Sequence, residues 1–159
     1  MEMRLEKKPA FTVTGRKVWI SGQNNEEFGV FWLQAHADGL VDRLRALCGD
    51  VHSTVTQSAV FGVSRVEADP NNRAFFFYIV TEAPSAAGLE TFTIPACEWA
   101  IFTERGELPM SLVNAEMDAF MRWLPASGYQ HAHAPELEVY PFDDGNRVEF
   151  WLPIEPKKA

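Results

Sequence analysis

Near the carboxyl end, residues able to recognise or transfer charge alternate along the chain: Glu136, Glu138 and Tyr140, then Glu149 and Trp151. In an extended segment a spacing of two puts side chains on one face. The run Asp143-Asp144-Gly145-Asn146 between them is a turn signal, so Glu136–Phe142 and Arg147–Ile154 read as a hairpin. With Phe142 paired to Arg147, Tyr140 lies opposite Glu149 and Glu138 opposite Trp151. Leu137, Val139, Val148, Phe150 and Leu152 then form an apolar opposite face. A one-residue slip would scramble this sorting, which argues for the register. Open to water, the mixed face is an ordinary polar sheet surface. Covered, it becomes an aromatic pocket with acids inside. A shielded carboxylate is costly without a counter-charge, and a ring face attracts an overlying cation by roughly 0.5–2 kcal/mol. Such a pocket selects an organic cation with apolar bulk. A metal ion would need more oxygen ligands and a phosphate would need basic groups.

Other chemistry is less well supported. His131 and His133 share a face if extended, but no motif supplies a third ligand, so no metal site is expected. His36 and His52 have no partner visible in the sequence. Gly62-Val63-Ser64 lacks the flanking glycine of a nucleophile elbow, and there is no P-loop or dinucleotide fingerprint, so no cofactor is expected. The aromatic run Phe75-Phe76-Phe77-Tyr78 reads as sheet core, with Tyr78 and, more weakly, Phe61 as further residues for a pocket.

The elements that would position these groups can be read from periodicity. Residues 9–21 read as a strand with a glycine bulge at Gly15. Phe28, Phe31, Trp32, Ala35, Leu40, Leu44 and Leu47 then recur at helical spacing up to Gly49. Ser53–Val66 and Ala74–Thr81, joined by Asp69-Pro70-Asn71-Asn72, form a hairpin. After the loop at residues 83–89 the order restarts. A strand covers Glu90–Thr103, and a helix from Met110 to Leu124 carries Val113, Met117, Phe120 and Leu124 and is closed by Pro125; the hairpin above completes the set. Pro9-Ala10-Phe11 and Pro95-Ala96-Cys97 open the two halves alike. The fold class is therefore α+β: tandem β-α-β-β repeats (about 1–83 and 89–155) within a single domain spanning 1–159, with an antiparallel sheet, two helices packed on it and a cleft between the halves.

Composition narrows the partners. The 159 residues carry 22 acidic and 14 basic side chains, a net charge of −8, which argues against autonomous nucleic-acid binding. No apolar run approaches the ~20 residues that span a bilayer and the N-terminus has no leader-like segment, so a cytoplasmic address is expected. Cys48 and Cys97 lack CxxC spacing and read as small core residues. Exposed edge strands could pair two copies into a homodimer.

Several stretches carry a family likeness: Pro95–Glu104 with Trp99, "AIFTERGELP" from Ala100, "WLPASGY" from Trp123 to Tyr129, "PELEVY" from Pro135 to Tyr140, and "VEFWLPI" from Val148. Together they resemble the GyrI-like effector-binding domain, the ligand module of AraC- and MerR-type multidrug-responsive regulators and of stand-alone relatives. The resemblance implies two repeats about a pseudo-twofold axis with a ligand cleft between them. It places the family's acidic residue on Glu138 and a cleft aromatic on Trp99, and makes Trp123 a structural anchor. No helix-turn-helix precedes the module here, so a stand-alone form is expected.

The expected function is binding of a lipophilic or aromatic, cationic small molecule, for sensing or sequestration, with Glu138 as counter-charge and Trp99, Tyr140, Trp151, Tyr78 and Phe61 as walls. The resemblance leaves two alternatives. One is a hydrolase acting on cyclopropane-bearing toxins, with Glu138 catalytic, although nothing in the sequence demands catalysis. The other is an inhibitor of a protein such as DNA gyrase.

Overall fold

The computed structural model describes residues 1–49 and 55–158, so His52 and the first positions of the strand expected from Ser53 lie outside the described residues. The strands are β1 (Glu2–Lys8), β2 (Phe11–Ile20), β3 (Ala59–Ser64), β4 (Phe75–Glu82), β5 (Glu90–Ile94), β6 (Cys97–Arg105), β7 (Tyr129–His131), β8 (Glu136–Pro141) and β9 (Arg147–Pro156); the helices are α1 (Glu26–Ala37), α2 (Leu40–Gly49) and α3 (Met110–Met117). The strands form one antiparallel sheet in the order β1-β6-β9-β8-β3-β4-β2-β5, with β7 beside the end of β9. Among the described residues no helix is long and apolar enough to cross a membrane.

The strand order is palindromic. β6-β9-β8 mirrors β2-β4-β3, and the halves meet where β8 pairs with β3, from Ala59↔Pro141 to Ser64↔Glu136. This is the expected pair of β-α-β-β units with one addition. β1 precedes β2 but pairs with β6, and β5 precedes β6 but pairs with β2. Each unit thus lends a leading strand to the other, and Pro9-Ala10 and Pro95-Ala96, the matching openings, are the two-residue links. A trans chain spans at most ~3.6 Å per residue, so Lys8 and Phe11 lie within about 11 Å, as do Ile94 and Cys97. The two outer edges of the sheet are therefore drawn together, and the sheet curls. Its inner face closes over Phe11, Val13, Val63, Trp99, Ile101, Leu137 and Trp151, a core drawn from nearly every strand.

The helices cover the outer face. Phe31 and Ala35 of α1, with Leu40 and Leu44 of α2, pack on Ile20, Phe77 and Ile79. The single helix expected here is two: Gly39, with φ 87°, turns the chain, and the Asp38 carboxylate accepts the Leu40 N–H at 3.1 Å to start α2. Glu27 secures α1 to the end of β2 by accepting from the Ser21 N–H (3.0 Å), the Ser21 hydroxyl (2.8 Å) and the Gly22 N–H (3.1 Å). These bonds, led by that from the Ser21 backbone, hold its carboxyl below the usual range.

α3 and the turn after it follow the expected stripe in part: Phe120 and Leu124 pack on the sheet beside Phe102 and Phe150, but Val113 and Met117 do not. Ser111, Ala115 and Ala119 face the sheet, with Val113 and Met117 exposed, and the helix continues as a wider π-type turn over Asp118–Trp123. Small residues let the helix lie close to β6 and β9, and Leu112, Val113 and Glu116 line the gap between the halves. Gly15 lies in an unbroken ladder with β4, not in a bulge.

Candidate functional site

The terminal hairpin is one residue out of the expected register. Phe142 donates its N–H to the Ser58 carbonyl at 3.1 Å instead of pairing with Arg147, and β8 ends at Pro141, which has no N–H to give. The observed pairs are Leu137↔Trp151, Glu138↔Phe150 and Val139↔Glu149. The slip re-sorts the faces. Glu138 and Tyr140 point outward with Phe150, beneath the helices, whereas Glu149 and Trp151 point inward with Leu137 and Val139.

Four of the six residues expected to form the pocket lie elsewhere, Trp151 through this slip and the other three because their strands turn them to the inner face. Trp99 (0% exposed), Trp151 (1%) and Phe61 (1%) are interior to the curled sheet, and Tyr78 (9%) packs there against Phe92. Trp99 and Trp151 sit with ring centroids 5.7 Å apart. Glu149, expected on the acidic face, is buried among partners: Trp151 Nε1 at 3.0 Å, Gln57 Nε2 at 2.9 Å and the Arg4 guanidinium at 3.3 Å. Trp123 stacks on Tyr129 at 5.7 Å beyond α3.

Glu138 and Tyr140 do come together, in a cavity of about 780 Å³ over the seam between the halves. α1 contributes Phe28, Trp32 and His36, while the segment leading into α3 and α3 itself contribute Leu108, Pro109, Leu112, Val113 and Glu116. The sheet supplies Phe75, Glu136, Glu138, Tyr140 and Phe150. Among the described residues no lysine or arginine lines it. Glu138 stands at the centre of the seam, opposite Gly62, whose missing side chain leaves room for the carboxyl: a Cβ on Gly62 would fall 2.3 Å from Glu138 Oε1. The Trp32 indole donates Nε1–H to that oxygen at 3.3 Å, and the Trp32 and Tyr140 rings meet edge to face at 5.1 Å.

The electrostatics follow from this crowding of acids. Burial, reinforced by the charge of Glu116, pushes the Glu138 carboxyl up to about 8, against the favourable Trp32 and Tyr140 hydrogen bonds. Burial and then Glu136 push Glu116 up to about 7. Burial, followed by the neighbouring Glu138, raises the Tyr140 phenol well above its ordinary value. Glu136 is answered by His131, 2.9 Å away, and although burial disfavours the imidazolium, this bond raises the His131 pKa. His133 is exposed. Among the described residues Glu116 has no hydrogen-bond or ion-pair partner, and no group of three metal-ligating side chains occurs. Among the described residues the cavity therefore presents three acids and several rings, with His36 as the one basic wall residue.

Trp32, Glu116, Phe28 and Phe75 were not expected in a site. Trp32 and Phe28 belong to a helical apolar stripe that reads as core, and they do lie on it, at its solvent end. Glu116 carried a signal: it follows Leu112 and Val113 at spacings of four and three, so it shares their side of the helix.

Comparison with known proteins agrees with this geometry at the level of the fold. The chain superposes on SAV2435, solved bound to tetraphenylphosphonium, with a TM-score of 0.81 at 16% identity, covering 98% of this chain and 94% of that one. It superposes on integron cassette protein VCH_CASS2 from the mobile metagenome of Vibrio cholerae at TM-score 0.64 and 17% identity, covering 96% and 95% of the two chains. It also superposes on a hydrolase from Listeria innocua at TM-score 0.54 and 11% identity, covering 97% and 92%. No curated protein sequence is significantly similar. Residues 4–154 match the family described as "Cass2: Integron-associated effector binding protein". The chain belongs to that family of GyrI-like effector-binding proteins.

Proposed function

We propose that the chain captures lipophilic, aromatic organic cations in the cavity over the β3–β8 seam, with Glu138 as the principal counter-charge. The observation that carries this reading is the wall itself: Glu116, Glu136 and Glu138 set among Phe28, Trp32, Phe75, Tyr140 and Phe150, without a lysine or arginine. A cation entering it meets half-buried carboxyls and ring faces that attract it. The tetraphenylphosphonium held by SAV2435, which shares the fold, is a ligand of this class.

Trp32 alone of the five tryptophans lines the cavity. Titration with tetraphenylphosphonium is expected to quench fluorescence saturably in the wild type and to give no such signal in Trp32→Phe. Methyltriphenylphosphonium and triphenylphosphine oxide are similar in bulk, and the uncharged oxide is expected to bind at least tenfold more weakly than the phosphonium. Equal affinity for the two probes would remove the charge from the account.

The interior residues give a contrasting prediction. Trp99→Phe and Trp151→Phe leave voids in the core and should each cost about 1–3 kcal/mol of stability. Tetraphenylphosphonium affinity should change by less than about twofold. Chemical denaturation alongside the same titration checks both.

A second reading rests on one observation. The Glu138 carboxyl, pushed up to about 8, stays protonated at neutral pH beside the Tyr140 hydroxyl, the state a general acid requires. On that reading the cavity opens an electrophile such as a cyclopropane by hydrolysis. Product formation abolished by Glu138→Gln would establish it; intact recovery of bound compound would favour capture alone.

A further inference from the structure

The cavity over the seam is a trough whose two ends differ in charge. Its sheet wall follows β8, so Glu136, Glu138 and Tyr140 succeed one another along it at intervals of about 7 Å. Its α1 wall, from Phe28 to His36, runs about 12 Å at the rise of an α-helix. At one end Trp32, His36, Leu108 and Tyr140, none of them an acid, also border an adjoining chamber of about 220 Å³. At the other end are Glu116 and Glu136, close enough for the charge of Glu136 to act on the Glu116 carboxyl. Phe28 and Phe75 wall that end, with ring centroids 6.1 Å apart. Glu138 lies between the two ends.

The two acids of the far end are not equivalent. Glu136 has a counter-charge within the protein, His131 Nε2 at 2.9 Å. Glu116 is half-buried and lines the cavity, and among the described residues it has no hydrogen-bond or ion-pair partner. A shielded carboxylate without a counter-charge bears a desolvation cost that an incoming cation can offset. A single positive charge held at Glu138 leaves Glu116 unanswered, and the two acids act on each other, since the charge of Glu116 helps to raise the Glu138 carboxyl. We infer that Glu116 is a second counter-charge and that the preferred guest is an elongated dication. An aromatic cation lies over Glu138 against Trp32 and Tyr140, and an alkylated ammonium on its arm faces Glu116 between the Phe28 and Phe75 walls. The inference rests on the proposed cation capture and narrows its ligand.

Ethidium and propidium share one phenanthridinium ring system, and propidium adds a quaternary ammonium on a three-carbon arm. At pH 8 and physiological ionic strength, where exposed charges beyond about 8 Å are largely screened, the wild type is expected to bind propidium at least tenfold more tightly than ethidium. That ratio should fall at least fivefold in Glu116→Gln. It should fall less in Glu136→Gln, whose carboxylate His131 already answers. It should hold within twofold in Glu2→Gln, which removes an exposed acid of β1 outside the cavity. Both dyes are titrated into the same preparation, so the ratio does not depend on how much protein is folded, and Glu116→Ala gives the same reading should the glutamine variant fail to fold. A wild-type ratio near one, a ratio unchanged in Glu116→Gln, or an equal fall in Glu2→Gln overturns the second counter-charge. A larger fall in Glu136→Gln than in Glu116→Gln also overturns the assignment to Glu116. If ethidium and tetraphenylphosphonium still bind in those cases, cation capture stands without it. If neither dye nor tetraphenylphosphonium binds, both readings fall.

Discussion

Glu138→Gln is expected to weaken tetraphenylphosphonium binding about 10- to 100-fold at pH 8 and to remove most of its pH dependence. Truncating one partner of a desolvated charge pair costs several kcal/mol when the charge is fully developed. In the empty cavity the Glu138 carboxyl titrates near 8, so at lower pH a cation must first displace its proton. Affinity in the wild type should therefore rise with pH, up to about tenfold per unit between 6 and 8, and level off above 8. Glu116, titrating near 7, adds a smaller slope of the same sign, which should survive in Glu138→Gln. Stability should move the other way. Both carboxyls have folded pKa values raised above those of the unfolded chain, so their contribution is fully present below the ordinary carboxylate range and is lost as pH rises through 7 and 8. Glu138→Gln should then have a higher Tm than wild type at pH 8.5 and little advantage at pH 4. Binding titrations and thermal melts across this range would refute the assignment if affinity were flat in the wild type or if the Tm difference kept one size.

Gly62→Ala should impair the same site without touching a charged residue. The added Cβ would fall 2.3 Å from Glu138 Oε1, 2.7 Å from Glu138 Cγ and 2.6 Å from Phe77 Cζ. Phe77 is a fully buried core ring, so the Glu138 side chain is the part that must move. Overpacking of this kind costs about 1–3 kcal/mol, or some 2–4 °C in Tm per kcal/mol for a domain of this size. The displaced carboxyl loses its place under Trp32, and cation affinity should fall by at least tenfold. The two substitutions act through one carboxyl, so Gly62→Ala combined with Glu138→Gln should weaken binding little more than either alone. Additive losses in a double-mutant cycle would show that Gly62 acts independently of Glu138.

What the sequence disclosed depended on how far apart the determining contacts lie. The strands and helices were legible because hydrophobic spacing is local: Phe28, Phe31, Trp32 and Ala35 mark α1, and the Asp69-Pro70-Asn71-Asn72 turn marks the β3–β4 hairpin. That Glu138 and Tyr140 share a face was legible because residues two apart do so whatever the register. The placement of Trp151 and Glu149 was not, because it turned on whether Phe142 pairs with Arg147 or gives its N–H to Ser58, more than 80 residues earlier. Trp99, Phe61 and Tyr78 were misassigned for a second reason. Both faces of their strands are covered, one by helices and the other by the sheet itself, so alternation does not reveal which side adjoins the cavity. The stripe of the second-half helix was half legible: Phe120 and Leu124 do pack on the sheet, but Ser111, Ala115 and Ala119 take the places expected for Val113 and Met117.

The exchange of β1 and β5 between the halves has a mechanical consequence. Two short tethers, Pro9-Ala10 and Pro95-Ala96, fasten the rims of the sheet to each other like a hoop closed by a double clasp. Flattening that hoop would strain both clasps and expose Trp99 and Trp151 to water. The floor of the cavity, where Glu138 stands, is thus the part of the wall tied to the curl of the sheet, and the helices above it are not.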